Sequence, residues 1–291
     1  MSEGTSIINL GELAKPAIVL VEKISDAVGG IFKPVQIKRV ANAEAAAALI
    51  QAKSEIKITD LHQRAVYRFF NEEGKKQENI ESITAKAIPQ LEDTSQPEKL
   101  DDDWITNFFD KCRIVSDDDM QDLWSRILAG ESNTPGTYSK RTVNFIESLD
   151  KEDATLFSKL CNCIWKFNND EVPLVYDVTH SIYKDAGINF LGLMHLDTIG
   201  LVKYSPMGIG LTKQPKLIRA FYCNEPLLLE LNKDQDNDFE VGSVILTKIG
   251  AELAPICGTK SQPEFVEYIL NCWMRKGYKI ASPYPRENSK R

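Results

Sequence analysis

The strongest hydrophobic pattern in the chain lies near its N-terminus. On a helix that turns about 100° per residue, residues 10–32 place eight apolar side chains on one side: Leu10, Leu13, Ala17, Leu20, Val21, Ile24, Val28 and Ile31. The pattern predicts an amphipathic helix, and its apolar face either docks on a core or a partner helix or lies in a membrane surface. The polar side carries more acidic than basic residues, which favours packing over a membrane surface.

Residues 35–76 are predicted to form a long helical rod. They contain no proline, one late glycine and dense alanine, a composition of high helix propensity. About 40 residues would make a rod roughly 60 Å long. Its coiled-coil-like seam is thin, with Val40, Ala47, Ile50, Leu61, Ala65 and Phe69. Such a rod cannot bury itself alone, so we expect it to pack against the first helix or another copy of the chain, with the helix continuing through residue 88.

Acidic helix starts predict a compact helical bundle over residues 101–172. Asp101 and Asp117 each begin an acidic run that precedes an amphipathic segment, and Ser139 and Asp150 can cap two further helices. Carboxylates and hydroxyls at these positions accept hydrogen bonds from the free backbone N–H groups of the first turn. The carboxylates also interact favourably with the positive end of the helix dipole. The preceding residues, 89–100, are polar, acidic and proline-bounded, and predict a linker.

The pattern changes after Pro173. Two helical segments run into a short strand at residues 201–204, two more strands are predicted at 218–231 and 239–246, and Thr247 can cap a further helix. Helices followed by a hairpin and a helix predict a winged-helix-like α+β module at 173–291. With the N-terminal helices at 1–88, the linker at 89–100 and the bundle at 101–172, the predicted fold class is mainly α.

No constellation of residues in the sequence supports catalysis, a cofactor or a metal ion. The three histidines lie far apart in the sequence. The segment that contains the glycines at 208 and 210 lacks the Gly-Lys-Ser/Thr ending of a phosphate-binding loop. Asp234 begins a calcium-loop pattern, but Phe239 and Ile245 occupy the positions that need Gly and Glu. The six cysteines fall singly among apolar residues, which is typical of reduced, buried thiols. We therefore predict that the protein is not an enzyme and takes no cofactor or metal.

Charge and hydropathy bear on the cellular location of the protein and on its capacity to bind DNA. The net charge is −7, and residues 101–188 carry 9 basic against 17 acidic side chains. No apolar run is long enough to span a bilayer and no secretory signal is evident, so we expect a cytoplasmic protein, with peripheral contact at the inner membrane face as an extension. The segment 189–200, where a recognition helix would lie, has no Lys or Arg, so DNA binding would depend on cations along the wing: Lys203, Lys213, Lys216 and Arg219.

Several stretches resemble a known bacterial family, domain of unknown function 2806. The resemblance rests mainly on residues 115–131, 135–142, 149–154 and 246–253, and covers about residues 10–255. The family supplies no reaction or catalytic residues. More loosely, the layout is similar to the abortive-infection alpha proteins of phage defence, which have an amphipathic start, a charged helical rod and glycine-containing segments like those at 199–201 and 246–250.

Together these features predict a non-enzymatic bacterial binding protein of the phage-defence type. Its N-terminal helices would contact another copy, a protein partner or a membrane through Leu13, Leu20, Ile24 and Val28. The alternative is a winged-helix regulator that binds DNA through the four cations of the wing.

Overall fold

The computed structural model of the chain describes residues 14–28, 60–168 and 170–281. These residues form two compact units, one ending at Ser148 and the other beginning at Leu149. The division lies earlier in the chain than the domain start predicted at residue 173. Most of the predicted rod, residues 35–59, lies outside the described residues, as does Leu13.

The first unit is helical where it is described. Its helices are α1 (Lys15–Val28), α2 (Asp60–Ala87), α3 (Asp102–Cys112), α4 (Asp118–Asn133) and α5 (Lys140–Glu147), with short 3-10 turns at Ile88–Gln90 and Pro97–Lys99. The predicted caps of three helices are confirmed. The side chains of Asp101, Asp117 and Ser139 accept hydrogen bonds from the first turns of α3, α4 and α5.

An aromatic cluster forms the centre of this unit. Trp104 stacks on Phe108, and Phe108 meets Trp124 edge to face, each with ring centroids 5.1 Å apart. All three side chains are buried. Helix α1 packs its apolar face against α3 and the turn at Pro97–Lys99. Its Lys23 also donates to the Leu100 carbonyl and pairs with Asp102 of α3, so both sides of α1 are tied to the unit.

The predicted linker at residues 89–100 is packed against α4. The Gln96 N–H donates to the Ser132 carbonyl at 2.9 Å, and the Ser95 hydroxyl donates to the Asn133 side chain at 2.6 Å. Leu100 is buried. The segment has the polar composition of a linker, but its polar groups form hydrogen bonds with α4. These bonds and the burial of Leu100 hold the backbone in place.

The second unit is built on two antiparallel sheets. Its elements are α6 (Lys151–Cys161), β1 (Ile164–Phe167), β2 (Asp170–Pro173), α7 (Ser181–Lys184), α8 (Phe190–Thr198), β3 (Val202–Gln214), β4 (Leu217–Tyr222), β5 (Glu225–Glu230), β6 (Asn237–Leu246), α9 (Lys248–Leu253), α10 (Pro263–Arg275) and β7 (Lys279–Ala281). One sheet has the order β2-β1-β4-β5-β7, and the other pairs β3 with β6.

These two sheets show that the predicted fold class, mainly α, is wrong, because the protein is a mixed α+β fold. The winged-helix-like assignment fails for a related reason. Residues 218–231, predicted as one strand, form the β4–β5 hairpin, and 239–246 pairs instead with β3. The hairpin turns at Cys223 and Asn224, both at positive φ (47° and 68°), as in a two-residue type I′ turn. Because the turn has only two residues, the apolar pattern continues almost unbroken across it and predicts one strand instead of two.

The five-stranded sheet has one buried and one exposed face, because alternate side chains point to opposite sides of a strand. The inner face carries Trp165 of β1 and Tyr222 of β4, which stack at 5.0 Å. Helix α10 covers this face, and its Trp273 meets the Trp165 ring at 4.9 Å. The opposite, outer face is left largely to solvent, and it carries the groove described below.

Candidate functional site

The four predicted contact residues of the N-terminal helix do not form an exposed surface. Leu20 and Ile24 are 0% exposed in the core of the first unit, Val28 is half-buried, and Leu13 lies outside the described residues. The prediction that Leu20 and Ile24 contact a partner or membrane is therefore wrong. Of the alternatives for the amphipathic pattern, docking on a core is confirmed, because the face packs on α3 of the same chain.

A different part of the N-terminal region is exposed. Every residue from Asp60 to Lys75, the first 16 residues of α2, is exposed, and burial begins only near Asn79. We call this stretch the α2 exposed segment. The rest of the helix packs against α4 through Ile83 and Ala87, which are fully buried. The helix is therefore anchored at its C-terminal end and carries an extension that no described residue covers.

The α2 exposed segment combines large apolar side chains with charged pairs. Tyr67 is 73% and Phe69 is 59% exposed, and the complete set of exposed large apolar residues is Leu61, Val66, Tyr67, Phe69 and Phe70. Ion pairs at i,i+4 spacing join Asp60 to Arg64 and Arg68 to Glu72. The sequence seam included Leu61 and Phe69 but missed the other three. The adjacent pair of phenylalanines among charged residues was the available signal.

Two of the four cations predicted to contact nucleic acid are neutralised within the second unit. Lys203 pairs with Asp197 at 3.0 Å, and Lys216 pairs with Asp234 at 2.8 Å. The hydrogen bond from Lys203 lowers the pKa of Asp197, and the hydrogen bond to Asp234 raises the pKa of Lys216. These paired side chains offer little net charge to a phosphate backbone.

The other two cations, Lys213 and Arg219, lie on different sheets. Lys213 is exposed on β3 at a positive φ of 56°, and Arg219 is exposed on the outer face of β4. The structure thus does not bring the four predicted cations together into a wing. Arg219 has a new neighbour instead. Lys166 of β1 lies opposite Phe221 in the strand register and therefore diagonally across from Arg219.

A groove of about 500 Å³ opens on the outer face of the five-stranded sheet. The sheet contributes Lys166, Glu171 and Phe221, and the β4–β5 turn contributes Cys223 and Asn224. The opposite wall is the segment that follows α9, with Ala254, Pro255, Gly258 and Thr259. We call this groove the sheet cleft. Sequence reasoning missed it because its floor depends on pairing of strands that are distant in the chain.

Helix α8, where a recognition helix was expected, exposes apolar side chains. Leu191 is 74% exposed, Phe190 and Met194 are also exposed, and the Phe190 ring meets Tyr204 of β3 at 5.9 Å. The His195 side chain binds Asp153 of α6 at 2.7 Å. The helix therefore presents an apolar surface without Lys or Arg, as its composition indicated.

The cysteines near the sheet are poorly suited to nucleophilic chemistry. Burial raises the pKa of Cys163 to about 12. Burial, and contact with Cys257, also raise the pKa of Cys161 well above its usual value. A thiol held in its neutral form is a weak nucleophile and a weak metal ligand. Both side chains thus contribute to packing.

The described part of the chain shows neither a metal site nor a membrane-spanning helix. Among those residues no group of three or more His, Cys, Asp or Glu side chains is arranged to hold a metal ion. Among the same residues, no helix combines the length and apolar character needed to cross a membrane.

The protein is thus an α+β protein of two units, one helical and one built around an open antiparallel sheet, with an uncovered helix segment and a sheet cleft as its distinctive surfaces. A family model described as a protein of unknown function (DUF2806) matches residues 63–270, and the chain belongs to this family. The family resemblance seen in the sequence is confirmed. Comparisons with curated proteins and with solved structures give no match.

Proposed function

We propose that the protein is a non-enzymatic bacterial binding protein of the phage-defence type, and that it assembles through the α2 exposed segment. The occupant of this segment is the same segment of a second copy. The observation that carries the proposal is the exposure of two adjacent aromatic rings, Phe69 and Phe70, on a helix that extends beyond its packed end.

The 16 residues of the segment span about 24 Å of helix. They continue from the packed end of α2 but make no buried contact of their own, so tertiary packing does not stabilise them. The two i,i+4 ion pairs, Asp60–Arg64 and Arg68–Glu72, contribute only about 0.2–0.5 kcal/mol each. Burial of the aromatic rings against another helix would contribute much more, since each large apolar side chain is worth roughly 1.5–3 kcal/mol.

The charge pattern selects a second copy in antiparallel orientation. In a pair of segments centred on Arg68, the two Arg68 side chains meet at the centre, and Asp60 of one copy lies opposite Lys76 of the other. Arg64 lies opposite Glu72 in the same arrangement, and both contacts occur twice by symmetry. In a parallel pair in register, each of these charges would instead approach its own counterpart. Opposite charges beside an apolar seam favour the first arrangement.

The assembly is tested by replacing Phe69 with Glu. Light scattering coupled to size exclusion should give twice the 32.8 kDa monomer mass for the wild-type chain and the monomer mass for Phe69→Glu, because a buried carboxylate would oppose helix pairing. Asn71→Glu is the matched control, since it adds the same charge on the other side of the helix and should remain dimeric. A monomeric wild-type chain, or a dimeric Phe69→Glu variant, overturns the assembly.

Charge exchange tests the antiparallel orientation. Arg64→Glu alone and Glu72→Arg alone should each weaken the dimer, because each places like charges opposite one another. An equimolar mixture of the two variants should recover dimers, since acidic side chains at both positions of one chain then meet basic side chains at both positions of the other. A defect confined to the helix itself would persist in the mixture, and that result would reject the orientation.

The defence role rests on the layout that the chain shares loosely with abortive-infection alpha proteins, and we propose that the protein acts in the cytoplasm. Bacteria that carry the gene should form fewer plaques than bacteria without it across a panel of phages. Phe69→Glu should abolish the protection and Asn71→Glu should retain it. If the wild-type gene gives no protection, the defence role is rejected while the assembly is judged by its own measurement.

A further inference from the structure

We propose that the sheet cleft binds a nucleotide unit, with its base over the Phe221 ring and its phosphate held by Lys166 and Arg219. The unit is either a free nucleotide or one residue of a single strand, since both present the same chemistry. This binding site is independent of the proposed assembly, because it lies in the second unit.

The floor of the cleft supplies a stacking surface. Phe221 lies on β4, the central strand of the five-stranded sheet, and its half-buried side chain lines the cleft. Its register partner on β1 is Lys166. Exposed aromatic rings on a sheet, flanked by cations, provide the arrangement by which single-stranded nucleic acids are bound.

The wall of the cleft is held in a fixed position against the sheet. The Tyr222 hydroxyl donates to the Asn162 carbonyl at 2.8 Å and accepts from the Gln262 N–H at 3.3 Å. The Lys260 N–H donates to the Asn162 side chain at 2.8 Å. These bonds tie the segment that follows α9 to the end of β4. A preformed cleft costs a ligand less ordering than a surface that must close around it.

The charges of the outer face leave two cations available. Lys216 and Lys279 both pair with Glu230. Lys166 and Arg219 form no ion pair within 4 Å among the described residues, and both are exposed. Glu171 of β2 lies directly opposite Lys166, whereas Arg219, which stands beside the cleft, lies on the other side of Lys166 on β4. Two cations beside an aromatic ring are suited to a ligand that joins an anion to a planar group. A phosphate on a nucleoside has this combination.

The polar rim distinguishes a nucleotide from a simple anion. Glu171 lines the cleft on the β2 side of Lys166, so a phosphate would lie on the β4 side, towards Arg219, and Glu171 would accept hydrogen bonds from a ribose hydroxyl or a base amino group. Asn224 and Thr259 add groups that both donate and accept hydrogen bonds. The volume of about 500 Å³ lies within the usual range for small-molecule sites.

The test measures binding of fluorescein-labelled oligouridylate and oligothymidylate to the full chain by anisotropy in low salt. The variants are Phe221→Ala and the double variant Lys166→Ala/Arg219→Ala. The control is Lys213→Ala/Lys233→Ala, which removes the same charge from exposed positions outside the cleft. Thermal unfolding of each variant verifies that the fold is retained. Unlabelled uridine monophosphate and a polyglutamate peptide serve as competitors.

The proposal predicts at least roughly tenfold weaker binding for the double variant, with a salt dependence reduced by about 1.4 in log–log slope. Phe221→Ala should lose roughly five- to hundredfold. If uridine monophosphate competes at a concentration similar to that of the unlabelled strand, the ligand is a free nucleotide. If the unlabelled strand competes at a much lower concentration than the mononucleotide, the ligand is a single strand. Absence of binding, an equal loss in the control, or equal competition by polyglutamate overturns the proposal.

Discussion

At the scale of single residues, Glu131 shows how a buried charge can organise a loop. Its side chain lies at the end of α4 and is 5% exposed. One carboxylate oxygen accepts from the Gly136 N–H at 2.6 Å and the other from the Tyr138 N–H at 2.7 Å. Tyr138 in turn accepts a hydrogen bond from the Trp104 ring at its carbonyl. Glu131 therefore connects the loop after α4 to the aromatic core.

Replacing Glu131 with Gln should lower the free energy of unfolding by about 2–3 kcal/mol, because an amide NH₂ would face a backbone donor and a charge-assisted bond would be lost. The same change at Glu147, whose partner Lys111 is at the surface, should cost less than about 1 kcal/mol. Urea unfolding of both variants measures the difference. Equal effects at the two positions would mean that Glu131 does not hold the loop.

At the scale of elements, two helical glycines have opposite roles. A Cβ at Gly250 of α9 would overlap the carbonyl oxygen of Leu201, so α9 approaches the start of β3 as closely as glycine allows. Thr247 reinforces this approach, because its hydroxyl donates to the Gly200 carbonyl at 2.6 Å and caps α9. A Cβ at Gly74, in the α2 exposed segment, would meet nothing within 4 Å.

Gly250→Ala should destabilise the second unit by about 3 kcal/mol or more, since the obstructing atom belongs to the backbone and cannot rotate away. Gly74→Ala should be neutral or stabilise the helix by about 1 kcal/mol, because alanine has the higher helix propensity. Midpoints of urea unfolding, with helix content from circular dichroism, compare the two variants. A mild effect at Gly250 would show that α9 can move away from β3.

Local signals at this scale were predictable where the interactions are short in range. The caps at Asp101, Asp117 and Ser139 depend only on a side chain and the backbone three residues later. The same is true of Thr247. The β4–β5 hairpin was missed because its turn is only two residues long, Cys223 and Asn224 at positive φ, and contains no glycine.

At the scale of the whole molecule, much of the excess negative charge serves helix starts rather than the open surfaces. Residues 101–188 carry most of the excess negative charge, much of it at helix starts where it stabilises the first turns. Part of that charge is paired, as when Lys86 of α2 binds both Asp118 and Asp122 of α4. The overall charge of −7 therefore says little about what the sheet cleft or the α2 exposed segment can bind.

The sequence by itself determined the helices of the first unit, several of their caps, the amphipathic character of α1 and membership of the family. These features depend on neighbours within one or two helical turns, which periodicity and composition record directly. Only the tertiary structure decided that Leu20 and Ile24 face α3 of the same chain, that α2 extends beyond its packed end, and that Lys166, Arg219 and Phe221 share one sheet face. Those outcomes depend on strand order and helix packing, which join positions tens of residues apart in the chain.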